Sequence, residues 1–195
     1  MTNDIFLSPH FKLSEFVVSE TASRHGIDNT PPEEAEENLR RLCQGTLEPL
    51  REALQLPVVI TSGFRTKALN DRLAHSSERS QHMQGCAADF YVSSAASPRF
   101  NAAEPRFKVQ CGKAAVQGSR VDDKVQGRRE VLIKAFRLII TSHEIDYDQL
   151  ILYPNFIHVS YVSKERNRHN ILKARSNGKL GYGKLSYANA ILLNY

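Results

Sequence analysis

The sequence predicts one compact domain that mixes helices with strands, and three stretches carry that reading. A leucine stripe runs through "PEEAEENLRRLCQGTLEPLREAL", a β-branched run "LPVVITSG" follows it, and two strand-like stretches, "DQLILY" and "FIHVSY", stand closer to the end. The 195 residues suffice for a sizeable core, and a 41% hydrophobic, 24% charged composition argues against a disordered chain.

Each element has a local reason. Ser14 in "KLSEF" is a candidate cap for a short helix that "GIDNTPP" breaks with Gly, Asn and paired prolines. Leu39, Leu42, Leu47, Leu50 and Leu54 then recur at near-helical spacing behind acidic first turns, giving an amphipathic helix or a broken pair whose leucines are core. "LPVVITSG", bounded by Pro57 and Gly63, is a buried strand, and "FRTKALNDRLA" a helix, so Arg65 stands just past a strand end. In "CAADFYV" alternation puts Ala87, Asp89 and Tyr91 on one face; Cys86 turns to the other as a small buried residue.

From Ser93 to about Gly127 the period is lost, and such a length reads as a lid, a small extra hairpin or a disordered insert, with "RFKVQ" a possible strand. "RREVLIKAFRLIITSHEI" resumes a helix through Leu132, Ala135, Phe136 and Ile139. Pro154 and Asn155 join the last two strands by a tight connection, and Phe156, His158 and Ser160 share one face of the second. A basic extension over about 162–195 ends in a loop and a short apolar element. With no internal repeat, residues 1–195 read as a single domain.

A formal charge of +5 and a pI of about 9.2 suit an anionic partner: nucleic acid, anionic lipid or an acidic cell-wall polymer. No aromatic or groove-reading motif supports nucleic acid, and no apolar run reaches membrane-spanning length. The start "MTNDIFLSPHFKLSEF" has no basic leader followed by a hydrophobic segment, which predicts a cytoplasmic protein on synthesis. Cys43, Cys86 and Cys111 lack CxxC spacing, so neither a disulfide framework nor a thiolate zinc site is expected.

His82, Asp89 and His158 form the candidate chemical set. Two imidazoles and a carboxylate are an open zinc shell, since catalytic zinc takes three protein ligands and keeps a fourth position for water. Gly85 lets the chain turn between His82 and Asp89, and Ser80 is a candidate to steady the loop or the imidazole.

"SQHMQGCAAD" fits the SxHxxGxAxD motif of the D-alanyl-D-alanine metallopeptidase family through Ser80, His82, Gly85, Ala87 and Asp89. "TSGFRTKALN" is similar to that family's strand and arginine segment, and "DQLILYPNFIHVSY" to its strand carrying the last zinc histidine. The opening "HFKLSEFVVSETASRHGIDNTPPEEAEENLRRLC" resembles the leading helices of the branch containing phage and prophage lysins. The resemblance spans most of the chain, apart from the 93–127 insert and the basic tail.

It implies a hedgehog-like α+β fold with a central, mostly antiparallel sheet and helices on one side. It also implies one zinc ion on His82, Asp89 and His158, with Arg65 and Ser80 binding substrate. Family members commonly carry a carboxylate or histidine base shortly before the last zinc histidine. Here that region offers Tyr153, Asn155 and Phe156, with Asp148, Asp146, Glu144 and His143 upstream. Tyr153 could donate to an oxyanion, Asp148 could cap or position the chain, and His75 or the insert could supply a base.

The expected activity is that of a zinc-dependent peptidoglycan peptidase, a D,D-carboxypeptidase or endopeptidase on a stem-peptide or cross-link amide. The alternative is a catalytically weak zinc-binding domain that recognises cell-wall peptides. The expected partner is a peptidoglycan peptide met at the cell wall after release, the expected state a monomer, with no nucleic acid and no membrane insertion.

Overall fold

The computed structural model describes residues 4–74, 76–93, 122–174 and 182–193. Its elements run β1 (Phe6–Ser8), β2 (Phe11–Lys12), α1 (Leu13–Val17), α2 (Glu20–His25), α3 (Glu33–Leu42), α4 (Glu48–Leu54), β3 (Val58–Ser62), α5 (Lys67–Arg72), β4 (Ala87–Val92), α6 (Asp122–Thr141), β5 (Gln149–Leu152), β6 (Ile157–Ser160), β7 (Asn170–Ala174), β8 (Tyr182–Lys184) and α7 (Tyr187–Ile191). The architecture is α+β. "RFKVQ", His75 and Cys111 lie outside the described residues.

The leucine stripe resolves as a broken pair. A π-helical turn over Cys43–Leu47 joins α3 to α4, and the five-residue step from Leu42 to Leu47 is the spacing such a turn accommodates, so Leu39, Leu42, Leu47 and Leu50 all stay fully buried. Ser14, expected as a cap, lies inside α1; its N–H and hydroxyl donate to the Asp4 carboxylate, at 3.3 and 2.5 Å, while Glu15 accepts from the Lys12 N–H.

Six strands form one mixed sheet in the order β3-β4-β6-β5-β7-β8, with β5 and β7 parallel and the other pairings antiparallel. Alternation splits its faces. Ala88, Phe90, Val92, Leu150, Leu152, Ile157, Val159 and Ile171 point into the core, where Leu132, Ala135, Phe136 and Ile139 of α6 are also buried. The opposite face carries Asp89 and His158, directly opposed across the β4–β6 ladder, with Ile151 next in the row on β5.

Two boundaries differ from the sequence reading. The irregular stretch expected to reach Gly127 ends earlier, because α6 begins at Asp122. The basic residues beyond 162 supply β7, β8 and α7, with Ile171 and Ala190 buried, so the described part of this segment extends the sheet. Among the described residues, no helix is long and apolar enough to cross a membrane.

Candidate metal centre

The site assembles where three local structures meet. A 3-10 turn over Gln81–Gln84 presents His82 and ends at Gly85, which adopts φ 70° and lies so close to α3 that a Cβ there would stand 2.2 Å from the Ala35 carbonyl oxygen. The chain then enters β4, which presents Asp89, and β6 brings His158 alongside as its cross-strand partner. Cross-strand neighbours on one face sit close enough for their side chains to share a ligand.

The nitrogen and oxygen positions are specific. The buried His82 ring has its Nδ1 2.7 Å from the Gly63 carbonyl oxygen. A carbonyl can only accept, so Nδ1 carries the proton and Nε2 presents its lone pair to the centre. Nε2 lies 3.2 Å from His158 Nδ1 and 3.4 Å from Asp89 Oδ1; His158 Nδ1 lies 2.8 Å from the same oxygen. These three ligand atoms all fall within 4.8 Å of one another. Of the two roles for which Ser80 was a candidate, the imidazole is oriented by the Gly63 carbonyl, while Ser80 stands at the start of the loop's 3-10 turn, its carbonyl accepting from the Met83 N–H.

Arg65 completes the near surroundings. A β-bulge inserts one extra residue of β3, Thr61, between Ile60, opposite Phe90, and Ser62, opposite Asp89. An uninterrupted strand would keep Ser62 on the core face with Ile60; the extra residue turns it to the face of Asp89. There its hydroxyl accepts from Arg65 Nε and Nη2, at 3.1 and 2.9 Å, and Arg65 Nη2 also reaches Asp89 Oδ2 at 3.2 Å. Asp89 therefore offers Oδ1 to the histidines and Oδ2 to the guanidinium. The backbone N–H of Arg65 donates to the His82 carbonyl, tying the two loops together. Ser62 escaped the sequence reading because a bulge leaves no mark in residue pattern.

Burial and charge act on the same groups in opposition. Burial alone would raise the Asp89 carboxyl, but whatever proton the adjoining His82 and His158 imidazoles turn toward it outweighs burial and holds the group far below the usual carboxylate range. Burial lowers the His82 imidazole, against the pull of Asp89, which favours the neutral ring that a metal ligand needs. Burial also raises the Cys86 thiol, keeping it protonated and unsuited to nucleophilic attack.

The remaining candidates fall in two places. Tyr153 stacks on Phe156 at the β5–β6 connection, ring centroids 4.2 Å apart and planes 12° apart, its N–H donating to the Phe156 carbonyl. Burial lowers the Arg65 guanidinium, with Asp89 and, more weakly, Tyr153 acting against it. Asp148 is directed elsewhere: its carboxylate is bound by Arg168, Gln81 and Ser160.

Two nitrogen donors and one carboxylate oxygen, converging and already oriented, fit zinc, which favours this donor mixture and leaves a fourth position open in catalytic sites. The class defined by fold and site is that of an α+β protein whose sheet carries a cluster able to hold one metal ion. A family model described as Peptidase M15 matches residues 9–121, more than half of the chain. The chain belongs to that family, the D-alanyl-D-alanine metallopeptidases, whose members are zinc-dependent peptidases. The matched segment contains Arg65, His82 and Asp89 and stops short of His158, which the sheet supplies. No curated protein matches the sequence.

Proposed function

We propose that this chain is a zinc-dependent peptidoglycan peptidase, a D,D-carboxypeptidase or endopeptidase acting on a stem-peptide or cross-link amide, on a hedgehog-like scaffold. The observation that carries the reading is the convergence of His82 Nε2, Asp89 Oδ1 and His158 Nδ1, with the His82 tautomer set by Gly63. Zinc held there would polarise the scissile carbonyl and lower the pKa of a coordinated water.

The chain's own residues supply the rest. Arg65, steadied by Ser62, is the group for a substrate carboxylate or carbonyl, because a planar guanidinium can hold two oxygens at once. Ser80, at the start of the turn carrying His82, is a further substrate contact. The Tyr153 hydroxyl is a donor for the developing oxyanion. The positive net charge suits an anionic wall polymer encountered after release from the cytoplasm, and the three candidate ligands all come from one copy of the chain, as a monomer would need.

A second reading, a zinc-retaining domain that binds wall peptides with little turnover, is favoured by one observation. The connection before His158 contains Tyr153, Pro154, Asn155 and Phe156 and no carboxylate, while Asp148 is occupied by Arg168. Digestion of purified muropeptides followed by mass spectrometry separates the two. Metal-dependent loss of a terminal residue or of a cross-link supports the peptidase and identifies its bond. Bound peptide without cleavage supports the binding domain, and neither binding nor cleavage rejects both.

A further inference from the structure

We propose that Asp148 is a positioning residue for the metal centre, joining the segments that carry His82 and His158 through a network closed by Arg168. This role rests on the zinc site proposed above.

The Asp148 side chain is 1% exposed, and a carboxylate so buried persists only when its lone pairs are matched by donors. Arg168 supplies three: its backbone N–H and Nε reach Oδ1 at 2.9 and 2.8 Å, and Nη2 reaches Oδ2 at 2.5 Å. The other two lead toward the metal. Gln81 Nε2 donates to Oδ2 at 2.9 Å, and Gln81 directly precedes His82 in the 3-10 turn. The Ser160 hydroxyl lies 3.4 Å from Oδ2, and Ser160 stands two residues past His158 on the same face of β6.

The main chain repeats the connection. The Asp148 N–H donates to the Ser160 carbonyl at 2.7 Å, and its carbonyl accepts from the Asn170 N–H at 2.9 Å, so one residue ties β6, β7 and the His82 turn together. His82 Nε2 and His158 Nδ1 must meet within a few ångströms of each other, and each rides on a segment that Asp148 holds. Arg168, whose side chain is 55% exposed, caps the network from solvent and fixes the carboxylate plane by its fork.

The test is a Co2+ titration of metal-free full-length protein, read by visible absorption, which reports both affinity and ligand geometry, alongside thermal melts by circular dichroism. The expected result for Asp148→Asn and Arg168→Ala is a 10- to 100-fold loss of affinity, about the cost of removing a group that orients a metal ligand. Gln81→Ala is expected to lose about tenfold in affinity with a modestly lowered melt, while Ile139→Val, a core change in α6 of similar cost to the melt, is expected to keep the wild-type affinity, a separation that a purely structural role would not produce. The Asp148→Asn, Gln81→Ala double variant is expected to lose no more than Asp148→Asn alone, because both act through one network.

Affinities of Gln81→Ala and folded Asp148→Asn within about twofold of wild type would overturn the proposal, being far below the loss expected for an orienting partner. Should Asp148→Asn fail to fold, Gln81→Ala decides. A wild type that takes up no Co2+ would overturn the metal site itself, and this role with it.

Discussion

Replacing Gly85 by alanine tests how the chain closes around His82. Gly85 adopts φ 70°, and a Cβ there would stand 2.2 Å from the Ala35 carbonyl oxygen and 2.9 Å from its carbon, both backbone atoms of α3. Left-handed backbone costs a non-glycine residue about 1–2 kcal/mol. Forcing an extra carbon against fixed backbone adds about 1–3 kcal/mol. At roughly 2–4 °C per kcal/mol for a chain of this size, the summed cost is a melting temperature lowered by about 4–20 °C. Gly26→Ala provides the comparison: Gly26 adopts φ 61°, but nothing lies within 4 Å of the Cβ position, so only the backbone cost applies. The assay is thermal unfolding of both variants beside wild type, with metal affinity measured on each. Gly85→Ala should be the less stable and should also lose metal, because the Gly85 N–H donates to the His82 carbonyl and the two must move together. Equal melting temperatures for the two variants would refute the close-approach reasoning.

Asp148 should govern part of the acid stability. Its folded pKa is lowered to about 2 from 3.8: burial opposes the charge, but hydrogen bonds from Arg168 and Gln81 outweigh it. A depressed carboxylate contributes stability fully above its unfolded pKa and loses it as pH falls through the folded value, so on the order of 2 kcal/mol should fade between about pH 4 and 2. Urea titrations over that range should show the slope in wild type and a shallower one in Asp148→Asn. Arg65→Lys keeps the charge but loses the fork that spans Ser62 and Asp89, and should raise KM for a substrate ending in a carboxylate by roughly tenfold; a full-length progress-curve assay reads it. Phe90→Ala empties a fully buried position on the core face and should cost about 3–5 kcal/mol in denaturant unfolding.

Residue pattern made part of this legible. Alternation alone put Asp89 and His158 on defined faces of their strands, and the register then set them opposite each other. The glycine between His82 and Asp89 likewise announced a turn that the structure uses. Long-range partners were not legible. Nothing in "SKERNRHN" distinguishes Arg168 from its basic neighbours, yet that side chain alone reaches Asp148, because the parallel pairing of β7 with β5 brings it there. The basic tail therefore read as an extension, since its strands are short and gain their burial from partners far back in the chain. The β3 bulge was hidden for a related reason: inserting a residue changes which face a side chain meets without changing composition.

Three side chains, from a turn and two strands, are proposed to hold one zinc ion. Elemental analysis of purified full-length protein, beside His158→Ala, tests it most directly. The expected result is about one equivalent of zinc in wild type and none retained by the variant, since two remaining ligands fall short of the three that catalytic zinc sites use. Zinc absent from both, or held equally well by both, would contradict it.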